Sequence, residues 1–550
     1  MSSTFDRRSL LVGGMAAAAC IAGASALDWE SIAGATTNGP GRNGISKGKP
    51  KRGGSLVFGT DAEETGFNPT TASFDNVGVM YARTVFDPLT IINAAGTWEP
   101  YLAQSVTPNA TYTSWTVTLR PKVLFHDGTP CDGAAMLANF KAQKSSLLVG
   151  IIIGSILDTI TQTGPLSVTL TFNTPWAPFP LYLAGGIGGQ NAYLMAQSML
   201  ANPNGTTNPV GTGPFVFKEW VPNSHFTATA NPHYWRPGLP YLDEITYKPI
   251  PDEAARAEAL QSGTIDIMVT DVAQTIIEFR GNKDYSYIDD STHLVGEPDM
   301  DSVMLNCNAA PFDNPKVRLA AAMALNPKQY AQVIDKDVCP VSTGLFTPGS
   351  PYYSKTSYPK YNPTEARKLL KEVAASTGKP VAFTLSNTDA PTDIRQSEYE
   401  QQAFQEVGFQ VTNKFMDQNE LLSDAETGRY QAACWRQFSA VDPDLNYIFW
   451  STTTAGADFA VNMARNTDPK VQSALELGRS STDPTIRTKA YQVLNQRLAI
   501  DLPYLWLDRA VWAVVSTPKI QNWNNPTTPK GAAAFGMIGG SIWPTQIWIS

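Results

Sequence analysis

The chain has 550 residues, 43% hydrophobic and 10% aromatic, enough to bury a large core spread over more than one lobe. Only 16% are charged, which excludes a disordered chain. The formal charge of −8 argues against nucleic acid as a partner, because phosphate binding needs a dominant basic surface; a cationic or neutral small ligand is easier to accommodate.

At the N-terminus, Arg7-Arg8 precede an apolar run from Leu10 to Ala24 that ends in Ala24-Ser25-Ala26, the small-residue pattern of a cleavage site. The run is too short and too weakly apolar for a stable membrane span. Residues 1–26 therefore read as an export signal peptide, and the protein as exported, periplasmic or at the cell surface. Paired arginines ahead of a mildly hydrophobic stretch resemble a twin-arginine signal, with the general secretory route as the alternative. Cys20 follows Ala17-Ala18-Ala19 and lacks the larger aliphatic residue that a lipid-anchor site favours, so it reads as part of the signal, with membrane tethering as the alternative. The remaining Cys131, Cys307, Cys339 and Cys434 form no CxxC or Cys/His cluster at metal-ligand spacing, and no metal site or cofactor is expected. Export permits disulfides among them, but their pairing does not follow from the sequence.

Residues 27–53 are dense in Gly and basic side chains without apolar period, as in a flexible tether. Gly44-Ile-Ser-Lys-Gly48 matches the G-x-S-x-G pattern of a hydrolase nucleophile, yet the strand before it and helix after it are missing.

Beyond the tether the text is mixed α and β. Gly54–Thr60, Ser114–Leu119 and Ser167–Phe172 alternate or concentrate β-branched and aromatic residues, as half-buried strands do. In the run Arg120-Pro-Lys-Val-Leu-Phe-His-Asp-Gly-Thr-Pro130, Asp127-Gly128 is a tight-turn signal, and a single His126-Asp127 pair offers too few ligands for a metal. Helices start at Asn362-Pro363, where Asn362 caps and Glu365 closes a capping box over a face of Ala366, Leu369, Leu370 and Val373. They start again at Asp468-Pro469, with Val471, Ala474 and Leu475, and at Asp483-Pro484, with Ile486, Ala490, Val493 and Leu494. These stripes read as core.

Trp115-Thr-Val-Thr-Leu-Arg120 followed by Phe125–Pro130 closely resembles the signature of the family 5 extracellular solute-binding proteins, the peptide, oligopeptide and nickel-binding receptors of ABC importers. Further segments resemble that family in its own order: Phe86–Leu89 and Trp98–Ala103, Asn208-Pro-Val-Gly-Thr-Gly-Pro-Phe215, Asn231–Ile245, Gln261–Asp266 and Pro311–Arg318. The resemblance spans roughly residues 54 to 510. It implies an α/β fold of the periplasmic-binding-protein type II (cluster C): two α/β lobes joined by hinge strands, with an extra inserted domain, closing over a solute. Lobe I would comprise 54–90, 207–302 and 515–550, the inserted subdomain 91–206, and lobe II 303–514.

Such a receptor needs no catalytic residue; it needs a desolvated cleft with aromatic walls and a few fixed polar groups. The resemblance places the ligand at Trp435, Arg436, Gln437 and Phe438 and in the aromatic, acidic loop that follows, Asp442, Tyr447 and Trp450. Across the cleft it implicates the loop carrying Glu63, Glu64 and Phe67. In peptide binders of the family an Asp three residues after the Trp takes the peptide amine; Phe438 stands there, so a modified peptide, an oligosaccharide, an aromatic compound or a metal chelate competes with an ordinary peptide. Asp442-Pro443 equally fits a helix start with Asp442 as N-cap. The implied partners are the solute and the permease and ATPase subunits of an importer, with the receptor a monomer. The competing class is an exported hydrolase of peptides or esters, which would need a nucleophile beside a base; His225, His233 and His293 sit in loop-like text with no paired motif.

Overall fold

A computed structural model describes residues 48–550 apart from Ser73, 147–149, Ser155, 187–188, 203–204, 293–295 and Ala457. The signal peptide, Cys20, residues 44–47 of the G-x-S-x-G match, most of the tether and His293 lie outside the described residues.

Three sheets organise the rest. The first has seven strands in the order Ser286–Asp289, Ala513–Ser516, Ile267–Thr270, Ser55–Thr60, Glu244–Pro249, His225–Ala230 and Phe215–Val221. Its central strand Ser55–Thr60 runs parallel to both neighbours, with Phe58 opposite Tyr247 on one side and Ile267 on the other. The second sheet has five strands in the order Gln410–Met416, Ala382–Thr388, Ala432–Gln437, Met300–Leu305 and Tyr504–Arg509. The third is an antiparallel four-stranded sheet of Ala103–Pro108, Ser114–Leu119, Ser167–Phe172 and Leu157–Gly164, inserted in sequence between strands of the first.

Local chemistry explains these elements. In Ser114–Leu119, Trp115, Val117 and Leu119 are buried on one face, while the hydroxyls of Thr116 and Thr118 pair across the strand with Thr169 and Ser167, each at 2.9 Å. The helix Pro363–Thr377 is capped by Asn362, which accepts from the Glu365 amide at 3.1 Å; it buries Ala366, Leu369, Leu370 and Val373 and ends at Gly378 in the left-handed region. The reciprocal half of the expected capping box is not made: Glu365 pairs with Lys368, and the Asn362 amide donates to the Met323 carbonyl instead.

Asp468 and Asp483 cap the helices Pro469–Ser480 and Pro484–Asp501 as their Asp-Pro sequences predict. The second of these helices is rotated from the expected stripe. Ile486 and Val493 are 38% and 47% exposed, while Arg487, Tyr491 and Leu498 join Ala490 and Leu494 inside. The cause is Arg487, whose guanidinium turns inward to pair with Asp442.

The run 120–130 forms the expected turn. Gly128 takes φ +82°, Phe125 donates to the Thr129 carbonyl at 2.9 Å, and the two titratable side chains go separate ways. His126 bonds the Gly213 carbonyl at 3.0 Å, and burial lowers its pKa to about 4; Asp127 accepts from Ser198 at 2.6 Å.

The chain passes between the first and second sheets twice, from Asp289 to Met300 and from Arg509 to Ala513, and the two crossings touch where Ala510 donates to the Asp299 carbonyl at 3.0 Å. Among the described residues no helix is long and apolar enough to cross a membrane. Cys131, Cys307, Cys339 and Cys434 are all thiols.

Candidate functional site

The strand Ala432–Gln437 occupies the middle of the second sheet, antiparallel to Met300–Leu305 and parallel to Ala382–Thr388. Its C-terminal end faces the crossings, and in open α/β sheets ligands bind beyond the carboxyl ends of strands. Past it, Ala440 and Glu297 exchange backbone hydrogen bonds of 3.0 and 2.8 Å, joining the strand's exit to the first crossing. That pairing requires Gly296, because a Cβ there would collide with the Ala440 carbonyl and φ is +92°.

Around this junction lies a cavity with apolar walls from Met300, Leu345, Phe346, Phe438 and Trp450 and polar groups from Glu297, Gln437 and Arg509. The cavity is narrow, with room for about one water. Gln437 is 2% exposed, yet neither amide atom has a hydrogen-bond partner; the Trp450 indole N–H and Arg509 Nη1 are also buried without one. Buried polar groups are nearly always satisfied, so three such side chains on one cavity make it the candidate binding site. Arg509 Nη1 stands 3.7 Å from Glu297, an ion pair too long for a hydrogen bond. Burial pulls the Arg509 pKa down to about 10 and pushes that of Glu297 up against the opposing pull of Arg509.

Not all residues implicated by sequence reach this cavity. Gln437, Phe438 and Trp450 do. Trp435, one residue pair away, is half-buried and packs on the core beneath the sheet. Arg436 points to the crossings, with Nε 2.7 Å from Asp301 and Nη1 on Asp271, and its charge lies 5.7 Å from the Trp512 ring centre. Asp442 caps the turn Pro443–Asn446, accepting from the Asp444 amide at 2.9 Å, and also binds Arg487 at 2.6 Å, so its carboxylate is committed within the protein. Tyr447 is buried beneath the Arg479 guanidinium at 3.5 Å.

The first-lobe loop is similarly engaged. Glu63 accepts from the Trp220 indole at 2.9 Å and the Asn223 amide at 2.7 Å. Glu64 is buried, and burial followed by the nearby Asp75 carboxylate holds its pKa well above the ordinary range. Phe67 sits among Tyr81, Phe217, Trp220 and Phe226. The sequence analysis missed Glu297, Phe346 and Arg509; the available signal was Asp508-Arg509 inside the otherwise apolar run Tyr504–Trp512.

Comparison with known proteins places the chain in a family. The family described as bacterial extracellular solute-binding proteins, family 5, matches residues 97–459. The glutathione-binding protein GsiB of Pectobacterium atrosepticum is 28% identical over 431 residues, covering 74% of this chain and 79% of its own. The periplasmic binding protein DppA from Helicobacter pylori, solved with the peptide STSA, superposes with a TM-score of 0.79 at 22% identity over 91% of this chain and 98% of its own. The oligopeptide-binding protein AppA from Bacillus subtilis, solved with a nonapeptide, does so with a TM-score of 0.77 at 20% identity over 91% and 100%.

Proposed function

The chain belongs to the bacterial extracellular solute-binding proteins of family 5, and from that premise we propose that it captures a small peptide-like solute by closing its two lobes and hands it to the permease of an ABC importer. The observation carrying this reading is the set of unpaired groups of Gln437, Trp450 and Arg509 on one aromatic-walled cavity beside the lobe crossings. A solute with amide and carboxylate groups supplies the partners those side chains lack. The Glu297–Arg509 pair matches a zwitterion, with the carboxylate meeting Arg509 and the amine meeting Glu297, which takes over the charge that Phe438 cannot provide. The glutathione-binding relative is consistent with this solute class.

In this reading Trp435 and Tyr447 stiffen the cleft from behind, the loop of Glu63, Glu64 and Phe67 is held rigid by its own contacts, and no bond chemistry takes place. The first lobe takes 54–90, 207–302 and 515–550 and the insert 91–206, with the change to and from the second lobe falling in the two crossings, 289–300 and 509–513, a few residues from the expected bounds at 302 and 514. Residues 1–26 direct export by the twin-arginine route, 27–53 form the tether, and the mature protein acts as a monomer outside the cytoplasm.

Isothermal calorimetry of the purified protein against glutathione, di- and tripeptides and oligosaccharides tests this. Saturable binding of a peptide-like solute, weakened at least about tenfold by Arg509→Met, is expected. Binding confined to sugars, or peptide binding indifferent to Arg509, would refute it.

A further inference from the structure

Away from the aromatic cavity, the strand Tyr504–Arg509 carries a group that solute capture does not use. Asp508 is 0% exposed, and its carboxylate oxygens have no hydrogen-bond partner unless one of the two carboxyls, Asp335 or Asp508, is protonated and shares its proton with the other. An uncompensated carboxylate at such a place is costly, and the cost calls for a cation or a proton.

Two further donors converge on it. Asp335, just past the helix Pro327–Val333, and Cys339 each present a ligand atom, and these atoms with one from Asp508 all lie within 4.8 Å of one another. Register brings them together: Val341 bridges to Asp508, Ser342 donates to the Leu507 carbonyl at 3.0 Å, and Arg509 donates to the Pro340 carbonyl at 2.8 Å. Between the two loop donors, Lys336 and Asp337 both adopt left-handed backbone, φ 51° and 61°.

The surrounding charge is unbalanced. Asp271, Asp301, Asp335 and Asp508 gather near Arg436, whose hydrogen bonds all go to Asp301 and Asp271, while Arg509, which also feels the Asp508 charge, turns its guanidinium to Glu297 and the Gly344 carbonyl. Among the described residues no Lys, Arg or His forms an ion pair with Asp335 or Asp508; Lys336 turns away to Gln274. A shared proton would serve the two carboxyls but gives no role to the thiol. Two carboxylate oxygens and one sulfur are a donor set for a zinc-class cation, since calcium and magnesium take oxygen ligands. Asp335 is half-buried, so the cluster lies close to the surface.

We propose that Asp335, Cys339 and Asp508 bind one zinc-class divalent cation, separate from the solute cavity. Binding releases the Cys339 thiol proton to solvent and leaves the thiolate on the metal. The ion ties the Asp335–Cys339 loop to the strand that crosses into the first sheet at Ala513, where Cys339 already packs with Val511 and Ala513.

The test uses the full chain stripped of metal with a chelator, titrated with zinc against a chromophoric competitor and then with cobalt. One zinc per chain, a raised melting temperature and a cobalt–thiolate absorption band are expected. Asp335→Asn, at a half-buried position that leaves the core intact, and Cys339→Ala should each weaken zinc binding at least about tenfold, and Cys339→Ala should abolish the band. The proposal is overturned if the stripped chain takes up no stoichiometric zinc, as a shared proton would have it, or if either folded variant binds zinc as the parent does.

Discussion

Arg436 joins carboxylates from the two sides of the chain crossings: Asp301, directly opposite it in the second sheet, and Asp271, at the end of a first-sheet strand. The Asp301 contact is bidentate, at 2.7 and 3.0 Å, and fixes the guanidinium plane so that its remaining edge meets Asp271. The Asp271 contact spans the two sheets and, in the proposed closing motion, is made when the lobes come together. Losing a charge-assisted hydrogen bond of this kind costs about 1.5–3 kcal/mol. Asp271→Asn should therefore shift the population toward an open form, seen as a larger radius of gyration in solution scattering and weaker solute binding, with the melting temperature of each lobe little changed.

In the proposed reading Gln437 trades stability for binding. Replacing it with Met removes a buried amide that has no partner in this conformation, a relief of up to about 1–3 kcal/mol. The variant should melt higher than the parent while losing at least about tenfold in solute affinity. A lower melting temperature would mean that the amide is satisfied inside the protein and not reserved for solute.

The insert is fastened to a buried ion pair of the second lobe through Trp176. Arg479 meets Asp444 at 2.7 Å, lies between the rings of Tyr447 and Trp176 at 3.5 and 4.6 Å, and shares Asp444 with the Trp176 indole at 2.7 Å. Removing one partner leaves a buried charge alone, at a cost of about 3–5 kcal/mol. Arg479→Met should destabilise by that amount in chemical denaturation, and adding Asp444→Asn should recover part of it, because the second change removes the orphaned charge.

Glu400 sets a pH dependence. It is fully buried, and burial raises its pKa from 4.5 to about 8 against the hydrogen bonds of Cys434 at 2.8 Å and Gln396 at 3.3 Å. Between those two pH values the folded state holds one proton more than the unfolded state, so this group's contribution to stability falls as pH rises through the window and is flat outside it. Denaturation at pH 5 and pH 8 should show a smaller loss in Glu400→Gln than in the parent, with the variant the more stable of the two at pH 8.

Much of the fold was readable because its signals are local. The alternation in Ser114–Leu119, the Asp-Pro and Asn-Pro helix starts and the Asp127-Gly128 turn each need only a few neighbouring residues, and each took the expected form. The rotation of Pro484–Asp501 was not readable, because Arg487, absent from the expected apolar stripe, finds Asp442 about 45 positions away. The cavity is harder still. Glu297, Phe346, Gln437, Trp450 and Arg509 come from separate parts of the chain, and no spacing within any one of them reveals the convergence. Only the middle strand and its aromatic loop could be found, through family resemblance; Arg509 left a trace as a charge in an apolar run.

Small-angle scattering of the protein with and without its solute is the most direct check on whether it works by folding shut on a guest. The account predicts that a peptide-like solute at saturation contracts the radius of gyration, and that Arg509→Met lacks the contraction at the same solute concentration. A profile unchanged by any solute that calorimetry shows to bind would contradict it.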